Sequence, residues 1–333
     1  MELQIRNLVV HFNTLDGSAQ VLDKVNILVA KQQVVGLIGE TGCGKSVTVK
    51  TILGALPIPP GKILEGSIVI HGQDLLSMNS KQRSYLVKQN FSYIPQDPMS
   101  SLNPVFTIGE QIIDLIKWRD IAKITPGALL KSLSRSVYKS ARRKVIESLR
   151  EVNIPTPEDV LDRYPFELSG GMRQRVLIAL SLIRRSHFLI SDEPTTSLDT
   201  TIQKGIIELL QQKISEERLS ALYITHNLGV AKILCDKICV MYGGTVVEEI
   251  LVKGSFLKKF QHPYSKGLIR AVPKLSAKDY QGIKGKVPNY YAPPSGCRFH
   301  PRCDYTTQIC KKRKPILTEV EKGHSVACFL YHR

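Results

Sequence analysis

The 333-residue sequence predicts an α/β fold, a mostly parallel sheet covered by helices, with a helical insertion and a basic C-terminal extension. Three observations carry this. The stretch "GETGCGKS" at 39–46 follows the apolar run "VVGLI" and opens a helical pattern. Two further short runs, in "HFLISDEP" and "ALYITHN", have the continuous apolar character of strands covered on both faces. Helical segments alternate with these strands, and such alternation implies a parallel sheet joined by helical crossovers.

Taken in order, "LQIRNLVVHF" alternates like a half-buried strand, and "KVNILVA" follows the turn-like "LDGSA". After "QVVGLIG" and the glycine loop, a helix is expected from near Lys45 through "VTVKTILGAL", ended by the prolines of "PIPPGK". "GSIVIHGQDL" reads as a strand with a turn at Gly72. From about 105 to 165 the pattern becomes helical and basic, as in "GEQIIDLIKW" and "KSARRKVIESLREV". That block interrupts the alternation and is read as an inserted helical subdomain. "KICVMYGGTVVEEI" reads as a hairpin turning at Gly243-Gly244. Beyond about residue 250 the chain becomes rich in Pro, Gly and Lys, which divides it into 1–250 and an extension, 251–333.

Composition narrows the class. The 43% hydrophobic content suits a globular protein rather than a disordered one. No run approaches the roughly 18 apolar residues of a membrane-spanning helix. "MELQIRNLVVHF" has neither the basic nor the apolar region of a signal peptide, so the expected compartment is the cytosol. The net charge is +17, and residues 251–333 hold 17 Lys and Arg against four Asp and Glu. Such an excess suits nucleic acid, anionic lipid, an acidic partner or a merely solvated surface, and charge alone does not choose among them.

"GETGCGKS" fits G-x-x-x-x-G-K-[ST] in the strand-to-helix context that the motif requires. The backbone amides of Gly39, Glu40, Thr41, Gly42, Cys43 and Gly44 would close on phosphate oxygens, with the helix N-terminus adding positive potential. Lys45 would reach the β- and γ-phosphates of ATP, and Ser46 would ligate Mg²⁺. In "FLISDEP", Asp192 at a strand end would hold Mg²⁺, and Glu193 would polarise a water for attack. In "LSGGMRQR", Ser169, Gly170 and Gly171 open a helix as a second anion site, which a partner chain packed head to tail would use.

Together these residues resemble the ATP-binding subunit of ABC transporters, and more narrowly that of dipeptide, oligopeptide and nickel importers. "YIPQDPMSSLNP" resembles the Q-loop with Gln96, "TTSLDTTIQ" the D-loop with Asp199, and "ITHNLGVAK" the switch-histidine segment with His226. "HPYSKGLIRAVP" and the last four cysteines resemble the extension of this subfamily. The resemblance covers essentially the whole chain. It implies a RecA-like P-loop core with an antiparallel β region and a helical subdomain, followed by a small cysteine-containing extension. It further implies that Gln96 senses Mg²⁺ and the γ-phosphate, that His226 contacts the γ-phosphate, and that Phe12 stacks on adenine. The implied partners are two transmembrane permease subunits, a second ATP-binding subunit (a paralogue in a heterodimer) and, indirectly, an extracytoplasmic solute-binding protein. The implied location is the cytoplasmic face of the cell membrane, and no nucleic acid is expected. The alternative is a soluble ABC ATPase acting on nucleic acid or ribosomes. Cys43 and Asn227 stand where the family usually has Ser or Ala and commonly has Asp.

Cys297, Cys303, Cys310 and Cys328 are spaced C-x5-C-x6-C-x17-C. In a cytosolic protein such a cluster reads as metal ligation before disulfides. The spacing lacks the paired C-x2-C knuckles of structural zinc sites, and four thiolates without tight pairing suit a [4Fe–4S] cluster, with zinc or free thiols as the alternatives.

Overall fold

The computed structural model describes residues 2–121, 135–184, 186–196, 198–271 and 282–331, so residues 122–134 of the expected helical block lie outside the described residues. Three strands come first, β1 (Leu3–Thr14), β2 (Gly17–Val29) and β3 (Val34–Ile38), followed by α1 (Lys45–Ile52), β4 (Gly61–Ile70), β5 (Gln73–Asp74) and α2 (Ser80–Asn90). Next come β6 (Phe91–Ile94), α3 (Pro98–Ser101), α4 (Ile108–Ile121), α5 (Arg135–Glu151), α6 (Pro157–Val160) and α7 (Gly170–Leu182). The chain continues with β7 (Phe188–Asp192), α8 (Thr200–Glu216), β8 (Ser220–Thr225), α9 (Leu228–Leu234), β9 (Lys237–Tyr242) and β10 (Thr245–Leu251). The extension adds α10 (Pro263–Arg270), α11 (Gln308–Lys312), β11 (Thr318–Glu321) and β12 (His324–Val326). These elements divide into two compact units, residues 1–89 with 219–333, and residues 90–218.

The first unit contains two sheets. One is antiparallel, in the order β2-β1-β4-β5. Its first strand does not alternate strictly. The register with β2 shifts around Leu8, where Asn7 takes a φ of 45° and its N–H donates to the Asn26 side chain. The other sheet runs β11-β12-β10-β9-β3-β8. Here β3 is parallel to both β8 and β9. Every residue of β3 and of β8 is buried, which is why both read as continuous apolar runs. The sheet is mixed rather than mostly parallel, because β10 and β12, and then β11, add to its edge antiparallel. The hairpin at Gly243-Gly244 forms as expected, with φ of 52° and 80°, the positive pair that a tight turn between twisted strands requires.

Two helices differ from the sequence reading. The first, α1, ends at Ile52, well before the prolines. Gly54 takes a φ of 66° and donates to the Thr51 carbonyl (3.2 Å), while the Ala55 N–H donates to the Lys50 carbonyl (2.8 Å). This glycine-terminated pattern satisfies the last carbonyls without further turns. The other, α2, was absent from the reading because its sequence, SKQRSYLVKQN, buries only Val87 and so carries no apolar stripe.

In the second unit β6 and β7 pair in parallel, and Phe91 packs edge-on against Phe188 with centroids 5.3 Å apart. Helix α5 is amphipathic. Ala141, Val145 and Leu149 recur every fourth residue and are all buried. A chain of hydroxyls runs under β6, with Ser186 donating to Ser92 (2.6 Å) and Ser92 to the Ser181 carbonyl (2.6 Å).

The extension is anchored in the first unit by a buried carboxylate. Glu248 on β10 has no solvent exposure and accepts from the backbone N–H groups of Gln261 (2.7 Å) and His262 (3.1 Å). It also bonds His324 Nε2 on β12 (2.6 Å). Removing the carboxylate in Glu248→Ala leaves those three groups buried without their partner, a loss of roughly 3–5 kcal/mol. The expected outcome is a lower unfolding midpoint together with rapid proteolysis beyond residue 250. An unchanged midpoint would show that the anchor is dispensable.

Candidate nucleotide site

In the first unit the phosphate-loop candidate leaves the end of β3, and His226 follows β8 directly. The register places Ile38 opposite Thr225, so Gly39 and His226 emerge side by side from neighbouring parallel strands. That edge is where open α/β sheets bind ligands. A Cβ on Gly39 would stand 2.2 Å from the Met241 carbonyl oxygen, so only glycine fits there. Gly44, with φ of 108°, precedes α1 and accepts from the Thr48 N–H (3.0 Å). Lys45 is 5% exposed, and its Nζ donates to the carbonyls of Gly39 (2.8 Å) and Glu40 (3.1 Å). Thr41, Gly42 and Ser46 are exposed, whereas Cys43 is buried and burial pushes its thiol up. Phe12 is half-buried on β1, opposite Ala19 and Gly61.

In the second unit the same geometry recurs. The register pairs Ile94 with Ser191, so Gln96 lies just beyond the end of β6 and Asp192 ends the adjacent β7. Asp192 is buried. Burial, and after it the Asp192 charge, pushes the Tyr93 phenol up to about 12. Glu193 takes a φ of 45°, a strained value for a residue with a side chain, and Thr196 Oγ1 donates to its Oε2 (3.1 Å). Ser169 caps α7, accepting from the Met172 N–H (3.3 Å), with Gly170 and Gly171 in the first turn. Gly171 packs on Ile202, to which an added Cβ would approach within 2.8 Å. Asp199 caps α8 through the N–H groups of Thr201 (3.1 Å) and Ile202 (2.9 Å).

The extension supplies residues that sequence reasoning missed. Tyr264 on α10 accepts a hydrogen bond from the Glu40 N–H (2.8 Å), Tyr290 donates to the Gly42 carbonyl (2.7 Å), and Arg302 grips the Glu40 carboxylate with both terminal nitrogens (2.8 and 3.2 Å). Tyr264, Tyr242 and Phe299 form an aromatic cluster with centroids 4.6–5.5 Å apart. The one available signal was Glu40 itself, a carboxylate inside an anion-binding loop that calls for a compensating cation. Two further basic residues of the extension also meet a carboxylate of this chain. Lys314 donates to Asp23 Oδ2 (2.7 Å), and the buried Arg298 lies 3.5 Å from the same carboxylate.

Cys297, Cys303, Cys310 and Cys328 all line one cavity of about 100 Å³, which His262, Phe299 and Tyr305 also border. Burial first, and then the neighbouring sulfurs of Cys310, Cys328 and Cys303, push the Cys297 thiol up to about 11. Burial also raises Cys303 and Cys328. Among the described residues, no group of three or more His, Cys, Asp or Glu is set to hold a metal ion.

Residues 22–196 match a protein-family model described as ABC transporter, and residues 249–310 match one described as oligopeptide/dipeptide transporter, C-terminal region. The chain is 38% identical over 331 residues to the oligopeptide transport ATP-binding protein AppD of Bacillus subtilis (strain 168), spanning 99% of this chain and 96% of that protein. It is also 38% identical over 330 residues to the dipeptide transport ATP-binding protein DppD of Escherichia coli (strain K12), at 98% and 95% coverage. Among solved structures, a dimeric ATP-binding cassette in a post-hydrolysis state with ADP and phosphate shares the fold, with a TM-score of 0.63. It is 23% identical, and the match covers 76% of this chain and 99% of that one.

The loop geometry makes a graded prediction. Gly39→Ala forces a methyl group into the Met241 carbonyl and should abolish binding of a fluorescent ATP analogue. Gly42→Ala meets nothing within 4 Å and carries only the strain of its φ of 83°, roughly 1–2 kcal/mol, so it should weaken binding far less. Equal losses would mean that the contact with Met241 does not shape the loop.

Proposed function

This chain belongs to the ABC transporter family, and we propose that it is the ATP-hydrolysing subunit that energises import of di- or oligopeptides through a membrane-embedded transporter. The observation that carries this is likeness along the whole chain, extension included, to peptide-transport ATP-binding proteins. The phosphate loop at the edge of β3 supplies the matching chemistry. No helix among the described residues is long and apolar enough to cross a membrane. In this reading the path for peptide belongs to permease subunits, with this chain at their cytoplasmic face and a second ATP-binding subunit beside it.

The loop amides other than that of Glu40, which Tyr264 already takes, hold the phosphates of ATP together with Lys45, and Phe12 supports the base. Ser46, Gln96 and Asp192 hold Mg²⁺, which, when bound, neutralises charge on the β- and γ-phosphates. Glu193 takes a proton from the attacking water, and His226 holds the γ-phosphate in line. The cap of α7 offers Ser169 and the backbone of Gly170 and Gly171 to the partner's nucleotide, and Asp199 lies on the same interface. Nucleotide binding then closes the pair, and hydrolysis reopens it. Arg298, Arg302 and Lys314 face carboxylates of this chain, so these three basic residues of the extension are not set aside for nucleic acid.

The four cysteines suit a [4Fe–4S] cluster. They line one cavity, and such a cluster takes one thiolate per iron. Its role would be to staple an extension whose own core is small.

Two measurements test these readings. In cells whose own copy is deleted, Glu193→Gln should bind ATP normally while phosphate release and uptake of a labelled dipeptide both fall about 10²–10⁴-fold. Hydrolysis within a few-fold of the unaltered chain would move the base elsewhere. Anaerobic purification should yield a brown protein with about four irons and four sulfides per chain, and one zinc without sulfide would refute the cluster.

A further inference from the structure

Glu40 is held at three points. Its N–H donates to Tyr264 Oη, its carbonyl accepts from Lys45 Nζ, and its carboxylate is gripped by Arg302. A carboxylate in this loop is electrostatically wrong for a site that must receive a triphosphate, because like charges at close range repel strongly where water is sparse. Arg302 is the group that answers it. Its side chain is 5% exposed, against 26% for Glu40. The guanidinium is further fixed by Nε donating to the Lys284 carbonyl (2.7 Å) and by its place 5.7 Å from the centre of the Tyr242 ring. Arg302 stands immediately before Cys303 in the cysteine-bearing turn, so the extension delivers the cation from a fixed position.

From this arrangement we infer that Arg302 is a positioning residue for ATP binding. It cancels the charge of Glu40 and turns that carboxylate away from the incoming phosphates, so that the extension sets the affinity of the phosphate loop. The inference rests on the reading of residues 39–46 as an ATP site. A bidentate arginine–carboxylate pair is directional as well as attractive, and it locks the residue whose carbonyl steadies Lys45. The other polar contacts of the extension with the loop, from Tyr264 and Tyr290, are neutral and cannot replace the charge.

The purified full-length chain provides the test, with titration of a fluorescent ATP analogue and a thermal midpoint recorded for each variant. Arg302→Ala should raise the Kd about tenfold. Adding Glu40→Gln to Arg302→Ala should restore binding to the level of Glu40→Gln alone, because the uncompensated charge has gone. The defect of Arg302→Ala should also shrink as salt rises toward about 1 M, where exposed charges are screened within roughly 3 Å. Arg302→Lys keeps the charge and loses the fork, so it should lose less affinity than Arg302→Ala, and it serves if the alanine variant does not fold. Lys314→Ala removes a different ion pair of the extension and should bind ATP as the unaltered chain does. Unchanged binding in Arg302→Ala would overturn the inference, as would a defect that Glu40→Gln leaves in place or an equal loss in Lys314→Ala. An unaltered chain that binds no ATP would overturn the nucleotide reading itself, whereas normal binding with a silent Arg302→Ala overturns the clamp alone.

Discussion

The contact on which the nucleotide site depends is the approach of Gly39 to the Met241 carbonyl, too close for any side chain. It welds the start of the phosphate loop to the end of β9. Beside it, the Gly244 N–H donates to the Cys43 carbonyl (2.9 Å), tying the loop's middle to the β9–β10 turn. The loop can then leave Thr41 and Gly42 exposed because its other side is packed. Flexible glycines alone would lose that order to backbone entropy. The fully buried strand β3, flanked by β8 and β9, supplies the fixed floor.

That floor extends into the last 80 residues through charge as well as through the aromatic cluster of Tyr242, Tyr264 and Phe299. Glu248 collects two backbone amides and a histidine in a site without solvent. A buried carboxylate persists only when its hydrogen-bonding capacity is filled by fixed donors. The donors come from residues 261, 262 and 324, which commits the chain on either side of residues 297–310 to one arrangement. Within that frame Arg298 and Lys314 converge on Asp23, and Arg302 reaches Glu40. The excess of positive charge that first suggested an external polyanion thus has internal partners at Arg298, Arg302 and Lys314.

Much of this was legible from residues alone. Continuous apolar runs identified β3, β7 and β8 because burial on both faces removes alternation, and Gly243-Gly244 marked its hairpin because both positions need positive φ. The reading failed where the deciding forces are local or remote. The end of α1 is set by one glycine in the left-handed region, not by the prolines that followed. Helix α2 has a solvated surface almost all round, so no periodicity betrayed it. The antiparallel strands added by the extension depend on Glu248, more than 60 residues from His324 in sequence, and no local pattern encodes that pairing. Of the candidate site, the loop, the strand-end carboxylates and the cap of α7 were readable as chemistry. Tyr264, Tyr290 and Arg302 were not, since each meets the loop across more than 200 residues of chain.

The departure at Asn227 illustrates how function and local structure share a residue. Its side-chain oxygen accepts from the N–H groups of Gly229 (2.9 Å) and Val230 (3.3 Å) and caps α9 immediately after His226. Its own N–H donates to Thr225 Oγ1 (2.9 Å). Asparagine and aspartate cap helices about equally well through this geometry. What aspartate would add is a negative charge at the helix N-terminus, worth roughly 0.3–1 kcal/mol at an exposed position. The substitution therefore removes a charge beside His226 while leaving the turn that presents it intact. Asp199 and Ser169 repeat the pattern at α8 and α7. In all three the side chain accepts from the first-turn amides, so one residue both ends the turn and sets the backbone beside it.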